Sequence, residues 1–172
     1  GFYSDPKFNS WERFALFTSL FVAICALLYA AGLAKQVYAA DTGTKKMQEI
    51  AAAVREGADA YLKRQLTTVA VLIAILIFIL YLSKALVSPL GFSDPFALGR
   101  AGAFFMGALF SGLVGFTGMR LATVGNLRVA AAAPHGFGKA LMLGYRTGTI
   151  TGMLTDGLGL LGGTLIFMVY GE

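Results

Sequence analysis

Four long stretches of the chain are apolar with few interruptions. A helix needs about 20 residues to cross the hydrocarbon core of a bilayer, and each of these stretches approaches or exceeds that length. We therefore predict transmembrane helices at about 14–38, 66–82, 101–124 and 140–170. The fold class is an all-α membrane protein, with residues 1–172 as a single membrane-helix domain.

A polar stretch at 44–65 precedes the second span and has the periodicity of an amphipathic helix. Its apolar positions recur at spacings of three and four, as on one helix face. They are Met47, Ile50, Ala51, Val54, Ala58, Tyr61 and Leu62. Arg55, Asp59 and Lys63 are spaced to pair along another face. Since no proline interrupts the stretch, we favour one long helix that projects from the membrane; a separate interfacial helix joined by a kink is the alternative.

Lys and Arg are distributed unequally over the connections between spans. Ten of the fourteen lie in the connections between spans one and two or between spans three and four, or near the span ends that adjoin them, as Lys35, Arg120 and Arg146 do. Because Lys and Arg collect on the cytoplasmic side, we place these two connections, and the extension of helix two, in the cytoplasm. Both termini then lie outside, and residues 88–96 form a short outer loop. The protein is expected to be multi-pass in the cytoplasmic (inner) membrane of the cell.

Composition supports a membrane protein. Hydrophobic residues make up 57% and charged residues 13% of the chain, whereas soluble domains have about 45–50% and about 25%. The net charge of +5 raises the possibility of nucleic-acid binding, but the cations lie at the ends of apolar runs and form no basic domain. We expect lipid and other transmembrane helices or subunits as partners, and no nucleic acid.

Small residues recur at every fourth position of spans three and four. They are Ala103, Gly107, Ser111 and Gly115 on span three, and Gly144, Gly148 and Gly152 on span four, where Thr147, Thr151 and Thr155 run beside them. Such stripes let helices approach closely, with hydroxyls available to bond across the gap. Tight helix packing is the favoured interpretation, and an ion path along the stripes is the alternative.

Asp156 is the one acidic residue well inside a predicted span. It follows Gly152 by four residues, so we expect it to face a neighbouring helix and not lipid. A carboxylate at the centre of a membrane helix costs about 2.5–3.5 kcal/mol on insertion scales and usually has a partner or a function. We favour an acid that pins two helices together through a hydrogen bond; a proton-relay residue is the alternative.

The sequence contains motifs that are similar to catalytic or binding motifs, but their context argues against each of them. Gly157, Gly159 and Gly162 spell G-x-G-x-x-G, but a dinucleotide fingerprint needs a preceding strand, and these glycines lie inside a span. The only histidine, His135, has no Cys or carboxylate near it in the sequence, which argues against a metal site. The acidic residues form no cluster of the kind that holds Mg²⁺ against phosphates. We therefore predict that this chain alone has no catalytic, cofactor-binding or metal-binding residues.

Three segments, in order, resemble helices of the membrane-bound, ion-pumping inorganic pyrophosphatases. The entry to that family's second helix, with its R-E-G-A and R-Q, is similar to DTGTKKMQEIAAAVREGADAYLKRQ at 41–65. The third helix, with a G-x-x-G-M core and N-x-R, is similar to SGLVGFTGMRLATVGNLRVAAAA at 111–133, and the fourth to GTITGMLTDGLGLLGG at 148–163. The resemblance covers nearly the whole chain after residue 9.

The resemblance implies a homodimer whose helices form concentric rings. Members of the family hydrolyse pyrophosphate with Mg²⁺ at the cytoplasmic end and move H⁺ or Na⁺ across the membrane. Their catalytic Asp-rich motifs lie on inner-ring helices beyond Glu172, so no catalytic residue transfers to this chain. The first functional hypothesis is an N-terminal, outer-helix scaffold of such a pump. The alternative is a truncated relative acting as an accessory subunit of a larger respiratory or photosynthetic complex; a free-standing transporter or channel is weaker.

Overall fold

The computed structural model describes residues 9–87 and 95–170 of the chain. This part contains helices and turns but no strand. Its elements are α1 (Ser10–Ala39), α2 (Lys45–Ala85), α3 (Pro95–Ala132), a 3₁₀ turn (Ala133–His135) and α4 (Phe137–Tyr170). All four helices are long and apolar enough to cross a membrane, which confirms the predicted all-α membrane fold. Most of the expected outer loop at 88–96 lies outside the described residues.

Helix α2 continues without a break from the polar extension into the apolar span. It has 41 residues, which corresponds to about 60 Å at about 1.5 Å per residue. This is about twice the thickness of a bilayer's hydrocarbon core. The extension and the span thus belong to one continuous helix, while its projection from the membrane and its cytoplasmic position stay predictions.

The turns between helices are set by glycine and by polar side chains. Gly43 has a φ of +69° between α1 and α2, and its N–H donates to Asp41 Oδ1 at 3.0 Å. Thr44 then caps α2, since its hydroxyl oxygen accepts a hydrogen bond from a backbone N–H of the first turn at 3.3 Å. Gly136, with a φ of 120°, occupies the tight connection between α3 and α4. Left-handed φ values favour glycine at both positions.

The helices lie side by side in the order α1, α4, α3, α2, each packed mainly on its neighbour in that row. A small core joins three of them, and its buried members are Ala30, Leu33, Val37, Leu121 and Ile150. Many large apolar side chains remain exposed, such as Phe78 at 63%. Lipid or further membrane helices must cover these surfaces, because a bilayer solvates apolar side chains and water does not.

Candidate functional site

The close approach of α3 and α4 is made at Gly118 and Gly125. A Cβ on Gly118 would lie 3.1 Å from Thr151 Cγ2, and a Cβ on Gly125 would lie 2.5 Å from Thr147 Cγ2. These two glycines are not members of the stripe predicted for span three. They are seven residues apart, a spacing that also marks one helix face, and this was the signal that a search at every fourth position missed.

Two more glycines fill contacts within the four helices. A Cβ on Gly157 would lie 2.8 Å from Leu27 Cδ2 and 3.2 Å from the backbone oxygen of Ala23, so α1 and α4 nearly touch there. A Cβ on Gly162 would lie 2.8 Å from Phe110 Cε2 of α3. Two glycines of the G-x-G-x-x-G sequence thus serve as packing positions in a membrane helix.

The threonine hydroxyls behave differently from the expectation. Thr147 Oγ1 donates to the carbonyl oxygen of Leu143 at 2.8 Å, and Thr155 Oγ1 donates to that of Thr151 at 2.9 Å. Both bonds return to the preceding turn of α4 and do not cross to another helix. The expectation of bonds across the gap is wrong for these two residues, because a helical threonine finds a carbonyl four residues earlier within reach.

Most positions of the predicted stripes lie open within the four helices. Nothing lies within 4 Å of the place that a Cβ would take at Gly107, Gly115, Gly148 and Gly152. Gly144 makes only an ordinary contact, since its Cβ would lie 3.8 Å from Val129 Cγ2. The four described helices therefore do not pack tightly on one another at these positions. Packing of the stripes against other helices stays a prediction.

The stripe of α3 borders grooves on both sides of that helix. Gly107 and Ser111 line a groove of about 280 Å³ against α4, opposite Gly159 and Gly163. Ser111 and Gly115 line a second groove, of about 640 Å³, against α2. The first residue of the stripe, Ala103, is half-buried and lines a third pocket near the Pro95 end of α3. At these positions, α3 therefore does not pack tightly on either α2 or α4.

Asp156 lies exposed on α4, in line with Gly148 and Gly152. Residues of an α-helix are about 100° apart around the axis. The positions that touch α1 and α3, such as Gly157 and Thr151, therefore lie on other sides of α4. We call Gly148, Gly152 and Asp156 the uncovered row. Among the described residues, no helix covers this row and no hydrogen bond to the Asp156 carboxyl is formed.

An ion pair ties the extension of α2 to α3. Arg120 Nε donates to Asp59 Oδ1 at 3.1 Å, and Arg120 Nη2 donates to Asp59 Oδ2 at 3.4 Å. Asp59 was expected to pair along its own helix with Arg55 and Lys63, and the pair with α3 corrects that expectation. The apolar positions at the start of α2 also line a groove against α3. The extension is thus part of the packed unit.

The described residues do not fit a site for Mg²⁺ and pyrophosphate. Among residues 9–87 and 95–170, no group of three or more His, Cys, Asp or Glu side chains is placed to hold a metal ion. Mg²⁺ that is bound with phosphates is held by carboxylate oxygens together with the phosphate oxygens and water.

Comparisons with known proteins identify the family. The sequence model of the family described as inorganic H⁺ pyrophosphatase matches residues 24–172. A K⁺-insensitive pyrophosphate-energized proton pump of Chloroflexus aurantiacus is 45% identical over an alignment of 174 positions, which covers 95% of this chain and 22% of that protein. Proteins of the same description are 42% identical in Streptomyces avermitilis, over 87% of this chain and 20% of that protein, and 37% identical in Methanosarcina mazei, over 91% and 22%.

The matches extend over nearly the whole chain, and they agree with the resemblance carried by residues 41–65, 111–133 and 148–163. The chain spans about a fifth of the length of the curated relatives it matches. With four membrane-length helices and a family match over most of its length, this chain belongs to the inorganic H⁺ pyrophosphatase family.

Proposed function

We propose that these helices form an outer scaffold of a pyrophosphate-energised proton pump and that they are not catalytic on their own. The observation that carries the proposal is the division of glycines into two sets. One set, exemplified by Gly125 and Gly157, fills contacts within the four helices, whereas the uncovered row lies open. Rows of small residues on membrane helices serve close helix packing. The uncovered row is then a docking face for further helices of the pump.

The names of the relatives bear on the pumped ion, and the placement of carboxylates bears on the metal. The relatives are named as proton pumps, which favours H⁺ over Na⁺. Mg²⁺ would bind with pyrophosphate on helices that carry clustered carboxylates, since the described residues offer no such cluster. The family resemblance supports a homodimer, and the distribution of Lys and Arg supports the cytoplasmic membrane. An accessory-subunit role has no comparable observation in its favour and stays a prediction.

Pumping is tested in inside-out vesicles from cells that express the protein containing this chain. We expect Mg²⁺-dependent release of phosphate from pyrophosphate, together with acidification of the lumen, measured by quenching of a pH-sensitive dye. Vesicles without the protein are the control, and a protonophore should abolish the dye signal while leaving hydrolysis active. Hydrolysis without acidification would contradict a proton pump, and no hydrolysis above the control would contradict the proposal as a whole.

Asp156 is proposed to hold a docking helix through a hydrogen bond rather than to relay protons. Asparagine keeps the size and one carbonyl acceptor but removes the ionisable group. Asp156→Asn is therefore expected to keep proton uptake close to the wild-type rate. A relay residue would behave differently, because loss of a proton-transfer group lowers rates by about 100-fold or more. Initial rates of dye quenching, normalised to the amount of protein, separate the two roles.

The variant Asp156→Leu makes the comparison complete. Leucine removes hydrogen bonding as well as charge, so we expect it to reduce the amount of assembled protein in the membrane. If Asp156→Asn stops proton uptake while hydrolysis continues, the pinning role is wrong and the relay role is supported.

A further inference from the structure

A pocket of about 470 Å³ opens where α1 and α3 end and α4 begins. Its charged lining is mainly cationic, with Arg128, Lys139 and Arg146 against the single carboxylate of Asp41. His135 adds a further polar group, and the rest of the wall is apolar or small. The pocket therefore combines an excess of positive charge with an apolar wall.

Arg128 is the buried part of this lining. Its exposed fraction is only 8%. Nη1 donates to the backbone oxygen of Val124 at 3.2 Å, and Nη2 donates to that of Tyr38 at 3.0 Å. The guanidinium also lies over the Tyr38 ring, 5.6 Å from its centroid. These contacts hold the side chain in one orientation at the wall of the pocket.

The Nε atom of Arg128 is buried and has no hydrogen-bond partner among the described residues. Buried polar groups without a partner are uncommon in native proteins, and each calls for an explanation such as an ion or ligand that the site accepts. The two backbone oxygens that Arg128 contacts are uncharged, so its positive charge is not neutralised by them. An anion in the pocket would supply the missing negative charge.

We propose that this pocket binds a phosphate group, such as that of an anionic lipid. Arginine is the side chain best suited to phosphate, because its fork of donors matches the phosphate oxygens. The pocket lies at the ends of membrane helices, where lipid headgroups are found, and basic pockets between such helices bind anionic headgroups. The apolar wall suits the glycerol and first acyl carbons. The proposal does not depend on pyrophosphate pumping.

The test compares two charge-removing double variants of the full-length protein in detergent. Lys139→Gln with Arg146→Gln removes two cations from the pocket and leaves the buried Arg128 in place. Lys63→Gln with Arg55→Gln removes one lysine and one arginine from exposed positions of α2 and is the matched control. Each protein is titrated with phosphatidylglycerol, phosphatidylcholine and inorganic phosphate, with bound ligand counted by native mass spectrometry and the unfolding midpoint followed in parallel.

We expect phosphatidylglycerol, but not phosphatidylcholine, to bind and raise the unfolding midpoint of the unmodified protein. The pocket variant should bind phosphatidylglycerol about tenfold more weakly, since charge-assisted hydrogen bonds are lost, and the control should bind within about twofold of the unmodified protein. Inorganic phosphate is the third ligand in the test. If it binds the unmodified protein and the control, and binds the pocket variant more weakly, the site is supported with free phosphate as its ligand.

Two results would overturn the proposal. One is binding of phosphatidylcholine as tight as that of phosphatidylglycerol with no effect of inorganic phosphate, which would mean that the pocket does not select a negative charge. The other is an equal loss of affinity in the pocket and control variants, which would mean that only net charge matters. Should the double variant fail to fold, the single change Lys139→Gln is compared with Lys63→Gln by the same criteria.

Discussion

Replacing Gly125 with alanine is expected to lower the free energy of unfolding by about 1–3 kcal/mol, the usual cost of adding a methyl group to a filled space. The new Cβ would lie 2.5 Å from Thr147 Cγ2, 2.6 Å from Oγ1 and 3.0 Å from Cβ. Rotation about χ1 moves the first two atoms but not the third. The backbones of α3 and α4 must therefore separate. Unfolding of the purified protein in mixed micelles of increasing denaturing detergent measures the loss.

Two further variants define this prediction. Gly115→Ala adds the same methyl group to the same helix at a position where nothing lies within 4 Å, and we expect no loss of stability. In the Gly125→Ala background, Thr147→Ala removes Cγ2 and Oγ1 but keeps Cβ, which would lie 3.0 Å from the new methyl group, so it is expected to restore only part of the stability. Equal losses for Gly125→Ala and Gly115→Ala would show that α3 and α4 do not approach closely at Gly125.

The four helices could be predicted from the sequence because a membrane span requires a long apolar run, and a run of that length is visible without alignment. The bounds were less accurate. The third span was predicted at 101–124, whereas α3 covers Pro95–Ala132. The apolar run marks only the part of a helix inside hydrocarbon. The helix itself continues past Gly125 and Asn126, because a broken helix would leave backbone groups unpaired near the membrane.

Contacts between helices could be predicted only in part. A spacing of four places Gly148 and Gly152 on one face, but it carries no information about which helix, if any, covers that face. The pair of Asp59 and Arg120 joins residues 61 positions apart, and spacing rules within one helix cannot find it. Predicting such contacts requires the order of the helices in the row, which depends on the fit of all four surfaces at once.

Gly152→Leu is expected to lower the pyrophosphatase activity of membranes about tenfold or more. Nothing lies within 4 Å of the place that a Cβ would take at Gly152, so the four helices should tolerate the larger side chain. A helix docked on the uncovered row would not tolerate it, because overpacking costs about 1–3 kcal/mol or more, and each 1.4 kcal/mol changes an equilibrium about tenfold. Phosphate release per amount of membrane-inserted protein measures the effect.

The matched control for Gly152→Leu is Ala74→Leu on α2, at the outer end of the row of helices. Ala74 is exposed and lies among exposed large residues such as Ile75 at 50% and Phe78 at 63%. A surface that already carries such bulk should accept one more leucine without loss of activity. If Gly152→Leu is as active as Ala74→Leu, the uncovered row faces lipid and not a helix, and the proposal that it is a docking face is wrong. If only Gly152→Leu is inactive while the protein stays inserted, small side chains on that row are required for the helices to assemble.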